Sequence, residues 1–278
     1  VSNDSDNRTL VLGATSLVGR HLTPRLSGVV TALSRDPPPD GALSWLRGDI
    51  GDPGLVLPPA RTVFSLTPLW LLPEALPKLA GAERLVAFSS TSRFTKAMSP
   101  EPYERDVARR LAEAEDALIR FCEGAGIGWT ILRPTLIYSE GADQNVSRLA
   151  RLIGKLGFLP LAGKGEGRRQ PVHAADLAAG AIAAAASPAA RNRAYDLPGG
   201  ETLSYRAMAE RVFEGMDRPP RIVPVPMAVW RLAFALASPL LPGATAAMGA
   251  RMSEDLVFDG RPAARDFGWR PRDFHPRF

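Results

Sequence analysis

The residues best suited to chemistry open the chain. Gly13-Ala14-Thr15-Ser16-Leu17-Val18-Gly19 lies between an apolar run, Thr9–Gly13, and a helical pattern that begins at Leu17. Phosphates bind where backbone N–H groups converge at a helix start and no side chain blocks their approach. Gly13 permits the tight turn, and Gly19 lets the helix pack close to the strand. Ser16 stands where the usual motif has its middle glycine, and its hydroxyl suits a phosphate oxygen. In a strand–turn–helix setting this spacing predicts a dinucleotide site. At the end of the next apolar run, NAD enzymes carry an acid for the ribose 2′-hydroxyl. Here the position holds Ser34 followed by Arg35, with Asp36 one residue late. A hydroxyl and a guanidinium suit a 2′-phosphate, so NADP is expected over NAD, unless Arg35 only caps the strand end. Asp49, in Gly48-Asp49-Ile50, is either a carboxylate for the adenine amino group or a plain turn residue. One cysteine, Cys122, and three scattered histidines, His21, His173 and His275, give no metal-ligand spacing, so no metal is expected.

The elements that must position these groups alternate in type. Apolar runs at Thr9–Gly13, Val29–Ser34, Trp45–Arg47, Thr62–Leu66, Leu85–Ser90 and Trp129–Leu132 read as strands. Leu17–Leu26 reads as a helix. Pro102–Gly124 is a long one, with Val107, Leu111, Ala114, Leu118 and Phe121 at three-to-four spacing. Continuous apolar strands alternating with helices predict an α/β, doubly wound parallel sheet joined by right-handed crossovers. Gly- and Pro-rich loops then separate helices at Asp176–Ala186 and Ser204–Gly215. Ser204 is placed as an N-cap. The Ala-rich stretch Ala178–Ala190 suits close packing on a neighbour, and Val229–Leu236 is apolar on nearly every side.

The 278 residues, 45% hydrophobic and 23% charged, exclude bulk disorder and allow one large domain or a domain with a smaller lobe. The net charge is +5, but only four of the 34 basic residues are lysine, and the arginines are scattered among acids. No basic stripe suggests nucleic acid. No run approaches the roughly 18 to 20 apolar residues that span a bilayer. Val1–Arg8 is polar and acidic, unlike a signal peptide. A cytoplasmic protein, monomer or homodimer, with a small-molecule substrate and neither nucleic acid nor a membrane span, is expected.

As a set, VLGATSLVGRHL, RGDIGDP, LVAFSST, WTILRPTLIY, GKGEGRRQPVHAADLA, YDLPGG, Pro224-Val225-Pro226 and FGWRPRDF run through most of the chain. In that order they resemble the extended and atypical short-chain dehydrogenase/reductase superfamily, in its NAD-dependent epimerase/dehydratase branch. The resemblance implies a Rossmann domain over 1-137 and 170-199. A small, discontinuous substrate lobe then takes 138-169 and 200-278. It implies Gly13, Thr15, Ser16, Leu17 and Gly19 at the pyrophosphate, Ser34 and Arg35 at the 2′-position, and Asp49 and Ile50 at adenine. Leu66 and Thr67 fall beside the second ribose, and Ser89, Arg133 and Pro134 belong to the cofactor set. Trp70, Tyr138, Arg169 and His173 are its candidates for substrate contact. Trp70 would be an apolar wall and Arg169 a site for an anionic group, while His173 is either packed or in contact.

The family's chemistry uses a Ser or Thr after the fifth strand and a Tyr-x-x-x-Lys pair on the next helix, the phenol exchanging a proton with the substrate oxygen. Thr91 matches the first. For the pair, residues four beyond Tyr103, Tyr138, Tyr195 and Tyr205 are Val107, Ala142, Gly199 and Ala209. Aligning Glu115 and Arg133-Pro134 with their counterparts puts Val107 and Leu111 at the Tyr and Lys positions. Tyr103, one turn earlier, is the substitute acid to consider, with Arg109 or Arg110 in support, against a plain role as a half-exposed aromatic. The expected function is an NADP-dependent oxidoreductase or epimerase-like enzyme. Its rivals are a catalytically silent NADP-binding regulator or accessory protein and a redox-neutral isomerase or lyase.

Overall fold

The computed structural model describes residues 8–38, 43–226, 228–230 and 252–278. Of the sequence features above, most of Val1–Arg8 and all but the start of Val229–Leu236 lie outside the described residues. The described elements form two compact units.

The first unit comprises Val1–Pro134, Ala174–Leu197 and Asp259–Arg270. Its sheet takes β1 (Arg8–Leu12), β2 (Val29–Ser34), β3 (Ser44–Arg47), β4 (Thr62–Ser65), β5 (Arg84–Phe88) and β6 (Gly128–Pro134). A seventh strand, β11 (Arg193–Leu197), completes it. The order is β11-β6-β5-β4-β1-β2-β3, and every pairing is parallel. The fold is therefore the doubly wound, Rossmann-like α/β sheet that the alternation predicts. The central strands are buried along nearly their whole length because helices cover both faces, which requires apolar residues on both sides.

Helix α1 is Gly19–Leu22, shorter than the expected Leu17–Leu26; a 3-10 turn, Thr23–Arg25, follows. Pro24 lacks the N–H that a continuing helix needs. After the short helix α2 (Ser92–Thr95) comes α3 (Pro102–Ala125), opened by a proline and closed by Gly126 in the left-handed region at φ 71°. Its buried face is Ala108, Leu111, Ala114, Glu115, Leu118 and Cys122, apolar except for one carboxylate. Burial pushes the Cys122 thiol up to about 12. On the other face, α5 (Ala174–Ala186) packs on α1, β5 and β6. At its end Arg84 donates to the Ala184, Ala185 and Gly128 carbonyls and to Thr130 Oγ1. Desolvation, aided by nearby Arg191, lowers that guanidinium to about 10.

The second unit comprises Thr135–His173, Pro198–Phe258 and Pro271–Phe278. Three two-stranded sheets organise it. β7 (Ile137–Tyr138) pairs with β10 (Val172–His173), β9 (Arg168–Arg169) with β12 (Leu203–Ser204), and β8 (Leu159–Ala162) with β13 (Ile222–Val225). Helices α4 (Val146–Leu156) and α6 (Tyr205–Glu214) enclose a core that includes Tyr138, Ile153, Met208, Val212, Phe213 and Phe274. Ser204 caps α6 by accepting from the Ala207 amide at 3.0 Å. These bounds differ from the assignment by resemblance. The β7–β10 pairing keeps 135–137 and 170–173 in the second unit. Helix α7 (Arg261–Phe267) joins the sheet unit instead: Asp266 accepts from Tyr195 Oη at 2.7 Å, and the Trp269 ring covers Gly180.

Candidate functional site

The turn after β1 is built for close approach. Gly13 adopts φ +79°, and a Cβ there would come within 3.0 Å of the Thr67 methyl and 3.1 Å of its amide nitrogen. Gly13 thus brings the ends of β1 and β4 together, with Leu66 tied to Leu12 by a 2.9 Å backbone bond. A Cβ at Gly19 would overlap the carbonyls of Ala14 and Gly13, so the helix start has no room for a side chain. The Gly13 and Ala14 amides donate to the Leu33 carbonyl, holding the turn against β2. Ser16 Oγ accepts from the Gly19 amide at 3.1 Å. That serine closes the turn onto the Gly19 amide and keeps its own proton to donate. The amides of Thr15, Leu17 and Val18 make no intrachain hydrogen bond among the described residues.

At the end of β2 the buried Ser34 hydroxyl lies 2.9 Å from Thr15 Oγ1 and accepts from the Asp36 amide at 3.2 Å. It ties the turn to the strand end. Arg35 reaches into solvent, with one nitrogen 3.9 Å from Asp49 Oδ2. Asp49 also accepts from the Gly51 amide at 2.9 Å through Oδ1. Ile50 is buried in the sheet core. Arg47, a residue the sequence reading passed over, crosses to β2. Its Nε donates to the Arg35 carbonyl at 3.2 Å, and its guanidinium lies 3.6 Å from Asp36. Comparing the ends of β2 and β3 residue by residue would have found it, because Ser34 and Arg47 are register partners.

Beyond β5, Thr91 is buried and anchored twice to the Pro134 carbonyl, through its amide at 3.2 Å and its hydroxyl at 3.1 Å. Beneath it lies Glu115 at 0% exposure. Its carboxylate accepts from Ser89 Oγ at 2.5 Å, from Arg133 Nη2 at 2.5 Å and Nε at 3.0 Å, and from Arg93. The Phe94 ring lies against both guanidiniums, 5.7 Å from Arg93 and 5.1 Å from Arg133. Arg93 has no sequence signal, since α2 is four residues long and too short to show a period. Arg133 also faces Asp196 on β11 at 3.9 Å, and desolvation raises the Asp196 carboxyl above the usual range.

The positions expected to hold the acid are apolar in structure as in sequence. Leu111 is buried in the sheet core and Val107 packs against it. Tyr103 sits on the first turn of α3 and is 76% exposed. Neither expected helper is aimed at it. Arg109 pairs with Asp106 and Glu113 along the helix. Arg110 lies over the Trp70 ring at 4.8 Å. In the second unit Tyr138 is a core ring in edge contact with His173 and Phe274. His173 Nε2 lies 3.0 Å from Glu140 Oε2. Arg169 is buried, donates to the carbonyls of Arg168 and Glu254, and faces the Tyr205 ring. Burial lowers its guanidinium and raises the Tyr205 phenol.

A seven-stranded parallel, doubly wound sheet with a glycine turn after β1 and a buried Glu–Arg pair under β5 and β6 defines a Rossmann-like α/β protein. Residues 71–197, just under half of the chain, match the model of the NAD dependent epimerase/dehydratase family. Subunit 9 of the NADH dehydrogenase [ubiquinone] 1 alpha subcomplex of Arabidopsis thaliana, a mitochondrial protein, is 32% identical over 133 residues, 47% of this chain and 31% of that one. UDP-glucose 4-epimerase of Vibrio cholerae is 26% identical over 129 residues, 46% of this chain and 39% of that one. The chain spans at most 50% of the length of these curated relatives. Among solved structures, MoeE5 in complex with UDP-glucose and NAD has a TM-score of 0.71 at 21% identity, covering 96% of this chain and 94% of that one. UDP-glucuronic acid 4-epimerase from Bacillus cereus, in complex with UDP-glucuronic acid and NAD, has 0.72 at 15%, covering 96% and 95%. These likenesses establish the fold. Among the described residues no helix is long and apolar enough to cross a membrane.

Proposed function

We propose that the protein binds NADP(H) in the turn after β1 and is an atypical oxidoreductase or epimerase-like enzyme acting on a small organic substrate. The observation that carries the reading is the Gly13–Gly19 turn, with its closed packing at both glycines and three unpaired amides at its mouth. Those amides, with the Ser16 proton, supply the donors that a pyrophosphate needs. Leu66 and Thr67 flank the second ribose, and Ser89, Arg133 and Pro134 stand behind the nicotinamide end. Asp49 and Ile50 border the adenine. The dinucleotides named with the related structures are NAD; the preference for the 2′-phosphate rests on Arg35, an exposed cation whose pairing with Asp49, at 3.9 Å, is longer than a hydrogen bond. When bound, the nicotinamide supplies hydride transfer. Thr91 orients the substrate oxygen, and Tyr103, on the first turn of α3, supplies the proton. Trp70, Tyr138, Arg169 and His173 are the residues proposed for the substrate side. A cytoplasmic monomer or homodimer is the proposed working form.

Binding is tested first. Arg35→Ala should weaken NADPH by about 1 to 3 kcal/mol, the worth of one charge-assisted contact, and leave NADH unchanged. Wild-type preference for NADH in the same titration would remove the NADP assignment. Chemistry is tested with NADPH oxidation against a panel of carbonyl compounds and sugar nucleotides. Tyr103→Phe should lower turnover by about 100-fold with cofactor affinity intact. A second reading, a dinucleotide-binding protein without turnover, is favoured by Val107 and Leu111, which fill the acid–base positions with hydrocarbon. Tight NADPH binding with no oxidation of any panel member would select it.

A further inference from the structure

We infer that Arg47 is the second anchor of the cofactor's 2′-phosphate, and that the ends of β2 and β3 form a two-arginine clamp held open by two crossed, displaceable ion pairs. This rests on the dinucleotide reading above. Ser34, the neighbour of Arg35 in sequence, is committed: its hydroxyl is shared with Thr15 and accepts from the Asp36 amide. A partner for Arg35 must come from elsewhere, and β3 provides it. The Arg47 Nε bond to the Arg35 carbonyl carries its guanidinium across the end of β2.

The pairing is crossed. Arg35 on the β2 side faces Asp49 beyond β3, and Arg47 on β3 faces Asp36 beyond β2. Both separations, 3.9 and 3.6 Å, exceed hydrogen-bond distance. All four side chains are open to water: 78% and 50% for Arg35 and Asp49, 76% and 92% for Arg47 and Asp36. Exposed pairs of this kind contribute little, so replacing each carboxylate costs little. A phosphate monoester carries about 1.5 to 2 negative charges and three acceptor oxygens, which two guanidinium forks can share. A ribose diol offers no such charge, and the acids cannot serve it while they face arginines. The clamp therefore discriminates by ion-pair exchange: the 2′-phosphate takes both arginines, and Asp36 and Asp49 release them.

The test uses the full chain and four probes, NADPH, NADH, adenosine 2′,5′-bisphosphate and 5′-AMP, titrated calorimetrically. Arg47→Ala should weaken NADPH and the bisphosphate by about tenfold or more, and NADH and 5′-AMP by less than about twofold. Asp36→Asn, which frees Arg47, should tighten NADPH severalfold at low salt, with the gain shrinking as salt screens the site. Thermal melts establish that each variant is folded. Equal loss for NADPH and NADH in Arg47→Ala, or no loss in either, overturns the clamp while leaving dinucleotide binding intact. Wild-type binding of NADH alone also overturns it. Failure of all four probes on folded wild type overturns the dinucleotide reading and the clamp together.

Discussion

Glu115→Gln removes a charge while keeping the side chain's shape, and the structure sets the size of the loss. Glu115 is fully buried and is the carboxylate against which both Arg93 and Arg133 close. Those guanidiniums are 23% and 16% exposed, so each recovers some hydration when the charge goes. Breaking a buried ion pair costs roughly 3 to 5 kcal/mol, and the partial exposure places this one near about 3 kcal/mol. For a chain of this size that is a fall in Tm of about 6 to 12 °C. Arg93→Ala should cost less, about 1 kcal/mol, because Arg133 still holds the carboxylate through two nitrogens. Urea unfolding with linear extrapolation reads both variants, and calorimetry checks the Tm. The effect reaches the site. Pro134 follows Arg133, and its carbonyl is the anchor of Thr91, so loosening Arg133 should also reduce turnover. A Glu115→Gln loss below about 1 kcal/mol would refute the reasoning, since only a well-hydrated pair is that weak.

Two further perturbations follow from the same structure. Gly19→Ala should abolish dinucleotide binding or unfold the sheet unit, because the new methyl would meet backbone carbonyls that cannot move aside; fluorescence titration of NADPH with a parallel melt separates the two, and a folded variant with wild-type affinity would remove the turn from the site. Asp259 is held down to about 2 by hydrogen bonds from Arg261, against an ordinary 3.8. A depressed carboxylate stabilises the fold above its unfolded pKa and loses that contribution as pH falls through the folded one. The Tm difference between wild type and Asp259→Asn should therefore be fully present above about pH 4 and vanish toward about pH 2. A difference that grows on acidification would contradict the assignment.

The central sheet was legible because its strands are continuous apolar runs between helices, and burial on both faces forces that pattern. β11 carried a weaker signal. Arg193-Ala194-Tyr195-Asp196-Leu197 mixes charge with apolar residues because it is an edge strand at the end of the sheet order. The two-residue strands of the second unit have no period to detect. Gly13 and Gly19 were legible because backbone approach demands a missing Cβ, which a sequence displays directly. Ser34 was legible as a strand end; that its hydroxyl also ties the turn to β2 was not. Arg47, Arg93 and the carboxylate bridge between Arg93 and Arg133 depend on side chains meeting across elements distant in sequence. No local pattern encodes such meetings.

Helix α3 shows where fold and chemistry separate. Val107, Leu111 and Glu115 are spaced four residues apart, on the side of the helix turned to the sheet. The deepest of the three carries a full charge, compensated by two arginines and a serine. The two nearer the helix start carry none. A phenol and an ammonium at those positions would need partners or water to offset desolvation. Valine and leucine instead contribute burial worth roughly 1.5 to 3 kcal/mol each when complete. The helix thus gains cohesion at the layer where the sequence resemblance leads one to expect an acid–base pair, while the charged layer below still fixes Arg133, Pro134 and Thr91. Under the proposed chemistry, a proton donor would come from outside that helix face. Tyr103, exposed at the first turn of this helix and away from the apolar face that Val107 and Leu111 occupy, is the phenol we propose for that role.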